Sequence, residues 1–199
     1  MLDPKTECPM TGCVNTFQKN QYYVINNRAI EGELIYDSKR DYLDCLTLIR
    51  EKTPVYHVAV IAYCLLPASY IFLLRQDGLR SLSEFLTASF NPFLHKINTR
   101  KGRRKSPLAG PAKSCRIEKN SELLYLCRYI HSQPVRACLV DKAEEWPFSN
   151  YREWLGLRKG RLKDEWFILN YFHDPSEYKS FVEKATAEPE ESIRAYVFT

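Results

Sequence analysis

Apolar positions along the first half of the chain alternate between a two-residue and a helical rhythm. Residues 21–29, QYYVINNRA, carry the β-branched and aromatic content of a strand that ends in a polar turn. In SKRDYLDCLTLIREKTP (38–54) the period changes to that of a helix, with Tyr42, Leu43, Leu46 and Ile49 on one side and Ser38 as N-cap. VYHVAVIAYCLL (55–66) is a nearly continuous apolar run stopped by Pro67, and SYIFLLRQ (69–76) follows at once, which predicts a β-hairpin. Residues 79–99 return to the helical period, with Pro92 predicting a kink or break, and 112–119 read as a short strand.

The second half is mostly helical in pattern. NSELLYLCRYIHSQ (120–133) enters a helix through Asn120 or Ser121, carries Glu122 in its first turn, and is expected to stop near Pro134. The stretch 135–156 predicts a short helix, a Trp-Pro turn and another helix; 162–172 and 176–185 predict two more. The order β-α-β-β-α-β followed by helices implies an α+β fold: a ferredoxin-like antiparallel sheet with helices packed on one face and a helical C-terminal extension. The expected organisation is an N-terminal arm (1–20), a main domain (21–156) and the extension (157–199), whose acidic tail, with Glu183, Glu188, Glu190 and Glu191, is expected to fray.

With 45% hydrophobic and 27% charged residues in 199, the chain can build a core and is not wholly disordered. Its seven glycines argue against a glycine-cradled nucleotide site. The longest apolar run is too short to span a bilayer, and the first residues, MLDPKTECPMTGC, lack the order of a secretory signal. A cytoplasmic protein with no membrane partner is therefore expected. Seven scattered cysteines, an odd number, are expected to be reduced thiols that mostly fill the core.

Charge changes the picture more. The formal net charge is +5, yet no Asp or Glu occurs between Phe85 and Ile117, where Lys96, Arg100, Lys101, Arg103, Arg104, Lys105, Lys113 and Arg116 lie. These eight cations exceed the whole net charge. Such a run attracts phosphates through counterion release, and equally describes a solvated loop. Phe90 and Phe93 fall near it, but their helical spacing reads as core.

One segment is distinctive. RYIHSQPVRACLV (128–140), followed by EEWPFSNYREWLG (144–156), resembles the YIHxNPVRAGLV…WPxSSYxxYLG pattern of REP-associated tyrosine transposases, single-tyrosine HUH transposases of the insertion-sequence type. The likeness extends back through Tyr22–Arg28 and the hairpin AYCLLPASYIFLL (62–74), and forward to EWFILNYFHDP (165–175). It covers roughly residues 20–185. The resemblance implies binding of single-stranded or hairpin DNA on an antiparallel sheet, and strand cleavage through a 5′-phosphotyrosine. It places Tyr129 at the nucleophile position and Gln133 at that of a polar metal ligand. Positions i and i+4 share a helix face, so this pairing is sound on geometry alone. A free phenol titrates near about 10 and attacks poorly until a metal or base activates it.

The chain departs from that pattern at the hairpin turn. Where the family reads Met-Pro-Asn-His-apolar-His, this sequence reads Leu66-Pro67-Ala68-Ser69-Tyr70-Ile71, so the histidine positions fall on Ser69 and Ile71. A hydroxyl and a hydrocarbon are poor substitutes for two imidazoles on one strand face. His57, His95, His131 and His173 show no two-histidine spacing and read as surface or satisfied core residues. The expectation is a divergent transposase-like DNA-binding protein with lost or impaired metal-dependent nicking and no resident metal. Two alternatives stay open: an active strand transferase using Tyr129 with Mg or Mn, and a protein-interaction component on the same scaffold. Oligomeric state is left open.

Overall fold

The computed structural model describes residues 17–185 and 189–197. The strands are β1 (Gln21–Arg28), β2 (Val58–Leu66), β3 (Ser69–Gln76) and β4 (Lys113–Arg116); the helices are α1 (Lys39–Tyr56), α2 (Leu82–Lys101), α3 (Leu123–Arg136), α4 (Tyr151–Trp154), α5 (Glu165–Leu169) and α6 (Pro175–Glu183). The order β2-β3-β1-β4, antiparallel throughout, with α1 and α2 as crossovers, is the ferredoxin-like arrangement expected.

Helices cover both faces of the sheet, not one. Tyr23, Ile25, Tyr63, Leu65, Tyr70, Phe72 and Leu74 point to α1 and α2, into a core with Ile49, Phe85, Phe90, Phe93 and Ile97. Val24, Ile61, Ala62, Cys64, Ile71, Leu73 and Cys115 point to the opposite face, against Leu126, Cys127 and Ile130 of α3 and residues of α4 to α6. Burial on both faces explains why β2 reads as VAVIAYCLL without polar alternation.

The extension is part of that second core. Phe167, Tyr178, Val182, Ile193, Tyr196 and Val197 are buried in it. The tail expected to fray is docked in its described part: Glu190 pairs with Arg128, and the Tyr196 hydroxyl donates to Glu122 at 2.7 Å. Glu188 and residues 1–16 of the arm, with Cys8 and Cys13, lie outside the described residues. All five described cysteines are free.

Local differences from the sequence reading have physical causes. Val55 and Tyr56 belong to α1, which ends at His57 in the left-handed region (φ 50°), its N–H donating to the Thr53 carbonyl. Within α1, Cys45 rather than Leu43 joins Tyr42 and Ile49 in the core; Leu43 is about half exposed. α2 runs unbroken through Pro92 because Phe85, Ser89, Phe93 and Ile97 anchor both halves on one buried stripe. α3 likewise passes Pro134 and ends at Arg136, since a proline in the last turn frees only one carbonyl. Of the two helices expected over 135–156, the second forms as α4, while the first is replaced by turns and a 3-10 turn at Ala143–Glu145.

β2 is an edge strand, and its free edge is closed by residues 146–154. A register shift between Val60 and Ala62 makes Ile61 the extra residue of a bulge, which puts Ile61 and Ala62 on the same face. The Asn150 side chain spans the bulge: Oδ1 accepts from the Tyr63 N–H at 2.8 Å, and Nδ2 donates to the Ile61 carbonyl at 2.9 Å and the Leu162 carbonyl at 3.1 Å. Trp154 Nε1 also donates to Ile61 (3.0 Å), Trp146 Nε1 to the Leu65 carbonyl (2.9 Å), and the Leu65 N–H to the Phe148 carbonyl (2.9 Å). An edge that would otherwise invite strand addition is thereby satisfied. Asn150→Ala would orphan several buried polar groups at about 1–3 kcal/mol each. Urea unfolding of this variant is expected to show a loss of about 3 kcal/mol or more, whereas Arg104→Ala in the exposed loop stays within about 0.5 kcal/mol of wild type.

Candidate nucleic-acid interface

α3 sets the site. Its buried stripe (Leu123, Leu126, Cys127, Ile130, Pro134) packs on β2 and β3, and Tyr129 and Gln133 fall on the edge of that stripe. The rotation of α3 is fixed by His131, which is fully buried. Its Nε2 meets Asn150 Oδ1 at 2.9 Å and its Nδ1 meets the Tyr178 hydroxyl at 2.5 Å. Because Oδ1 can only accept, Nε2 carries the proton, and Nδ1 accepts from Tyr178. Burial pushes the imidazole from its ordinary 6.5 down to about 4, against the raising effect of Asn150.

Tyr129, Gln133, Ser69 and Ile71 all line one open cavity of about 730 Å³. Its other walls come from the end of β1 and the loop after it (Asn26 to Glu33), from Leu66, Ala68, Tyr70, Ala109 and Lys113, and from Val197. The Tyr129 ring is half-buried, with the Arg136 guanidinium 4.8 Å from its centroid. Gln133 Nε2 donates to the Tyr129 carbonyl at 3.2 Å. At the two strand positions 69 and 71 the cavity thus presents a hydroxyl and a hydrocarbon, and no imidazole, toward the side where Tyr129 and Gln133 lie. Among the described residues no three His, Cys, Asp or Glu side chains come together as a metal cluster. Of the other histidines, His57 ends α1, and His95 and His173 are exposed.

The eight cations of the basic stretch do not form one surface. Lys96 and Arg100 pair with Asp44, each at 2.8 Å; Arg100 also pairs with Asp41, and Lys101 pairs with Asp37 (2.8 Å) and Asp41 (3.0 Å). These contacts fasten α2 to α1. Burial raises the Asp41 carboxyl, but the hydrogen bonds from Lys101 and Asp37 outweigh it and hold the group far below its ordinary value. Arg103 pairs with Glu33 at 3.1 Å and donates to the Leu34 carbonyl; Arg116 donates to Gln18 at 3.0 Å. Arg104 and Lys105 are exposed and have no partner among the described residues. Their loop docks on residues 28–34 through Ile30 N–H to Pro107 and Ala109 N–H to Arg28, beside the wall of the Tyr129 cavity. Lys113 lines the cavity itself. Phe90 and Phe93 are core residues.

Sequence reasoning missed Arg28, Asn26 and Glu31, which line the cavity. The strand reading of 21–29 held the necessary signal, but not the register that carries its end to Ser69 and Ile71.

No family model matches the chain, and no curated protein does. Solved structures do. The chain is similar to a REP-associated tyrosine transposase bound to a REP hairpin, with a TM-score of 0.62 and 15% identity over 76% of this chain and 92% of that one. A Deinococcus radiodurans protein assigned as a transposase aligns with a TM-score of 0.40 at 12% identity, over 60% and 95% of the two chains. The first of these likenesses makes the fold transposase-like. No helix among the described residues is long and apolar enough to cross a membrane.

The depressed His131 value gives a pH prediction with a definite sign. Folded His131 resists protonation until about pH 4, while the unfolded imidazole takes its proton near 6.5. Unfolding therefore binds a proton in this window, so stability is full above 6.5 and falls by about 3 kcal/mol as the pH drops to 4. The loss from Asp41 comes below the ordinary carboxylate value of 3.8. Denaturant midpoints measured between pH 7 and 4.5 are expected to fall for wild type and to flatten in His131→Gln.

Proposed function

We propose that the protein binds DNA, single-stranded or hairpin, with a phosphodiester seated beside Tyr129, and that metal-dependent nicking is lost or impaired. The observation that carries this reading is the meeting of Tyr129, Gln133, Ser69 and Ile71 in one cavity, from elements far apart in the chain. The similar transposase structure holds a REP hairpin, which supports DNA as the partner. Arg104 and Lys105 sit on the loop that borders the cavity wall, free to meet phosphates outside it. Impaired nicking is supported by Ser69 and Ile71, which offer no imidazole pair to hold the metal that would supply strong transition-state charge stabilisation.

Fluorescence anisotropy with labelled hairpin and single-stranded oligonucleotides tests the binding. Affinity is expected to fall steeply with salt, and Arg104→Ala with Lys105→Ala is expected to weaken it about threefold to tenfold and flatten the salt slope. Absence of binding at about 50 mM salt would refute the DNA reading. A denaturing gel with Mg or Mn present tests the chemistry: no covalent protein–oligonucleotide adduct is expected. An adduct that disappears in Tyr129→Phe would establish active strand cleavage instead.

A further inference from the structure

We infer that the floor of the Tyr129 cavity is a metal-independent phosphodiester site in which Arg28 and Lys113 supply the positive charge. This rests on the DNA-binding reading above and adds which groups hold the phosphate. The sheet register carries the inference. Arg28 lies opposite Ser69, while Asn26 lies between Ile71 on one side and Lys113 on the other. Residues directly opposite on antiparallel strands share a face, with Cβ atoms about 5 Å apart. Two adjacent rows result, Arg28–Ser69 and Lys113–Asn26–Ile71, set about 7 Å apart by two strand residues. Both rows line the cavity that holds Tyr129 and Gln133.

The charges in this cavity favour an anion. Arg28 is exposed, and its guanidinium has no partner among the described residues. The acidic groups on the same wall are Glu31 and Glu33, and Glu33 is taken up by Arg103 at 3.1 Å. A planar guanidinium matches two non-bridging phosphate oxygens, an ammonium adds a point charge, and the Asn26 amide and Ser69 hydroxyl are neutral donors. The same two cations repel a divalent ion from the ground between Ser69 and Ile71. Fixed positive charge in the same cavity therefore opposes a mobile cation beside Ser69 and Ile71.

The test is oligonucleotide binding by the full chain in EDTA and in Mn²⁺, across a salt series, for wild type, Arg28→Ala, Arg28→Lys, Lys113→Ala, the Arg28→Ala/Lys113→Ala double variant and a control, Arg50→Ala, on the outer helical layer. Arg28 and Lys113 are exposed, so the variants are expected to keep the wild-type thermal transition. Wild-type affinity is expected to be the same in EDTA and Mn²⁺. Arg28→Ala and Lys113→Ala are each expected to weaken it about fivefold to tenfold and to lower the salt slope by about 0.7. Arg28→Lys falls between, because it keeps the charge and loses the fork; Arg50→Ala matches wild type. Binding that collapses in EDTA, or a double variant that binds as tightly as wild type, overturns this inference and leaves DNA binding standing. A wild-type chain that binds no oligonucleotide overturns both.

Discussion

The bulge at Ile61 frees backbone groups on an edge strand, and the carboxamide of Asn150 answers them while also accepting a hydrogen bond from His131. One side chain thus ties β2, the segment after α3 and α3 itself into a single buried network. Such a network is strong when every member is satisfied and costly when one is missing. Its consequence for function is positional. His131 follows Tyr129 by two residues on the same helix, so the bond that fixes one imidazole also fixes where the phenol lies on the rim of the cavity. Tyr178 closes the other side of that imidazole and brings α6 into the same arrangement.

Covering the sheet on both faces has a second effect. α1 and α2 pack on one face, while on the other α3 leaves the end of β1 and the start of β3 open, and the cavity forms there. Its floor is therefore made of strand residues whose neighbours are set by register, and its wall of helix residues whose position is set by the buried network. Two rigid elements meet at the site, which favours a fixed geometry over an induced one.

Electrostatics divide the basic stretch by role. α1 carries Asp41 and Asp44 toward α2, and these carboxylates, with Asp37, take up Lys96, Arg100 and Lys101 as a fastening between two helices. The rest of the stretch lies elsewhere: Arg104 and Lys105 on the exposed loop, and Lys113 in the cavity wall with Arg28. A run of like charge in sequence has become two populations in space, one structural and one facing the proposed ligand.

The sequence by itself determined the order of the four strands and three long helices, the antiparallel α+β class and the pairing of Tyr129 with Gln133, because periodicity, capping and i to i+4 spacing are local. It also carried Ser69 and Ile71 at the hairpin turn, where the pattern it resembles has histidines, a difference legible one residue at a time. The second helical layer was only implicit in the unbroken apolar run of β2, since two-sided burial and a buried helix give similar patterns. Only the tertiary structure decided that Arg28 lies opposite Ser69, that four of the eight cations are held by Asp37, Asp41, Asp44 and Glu33, and that Asn150 meets His131. Those are contacts between residues tens of positions apart, set by strand register and helix rotation, and no local preference encodes them.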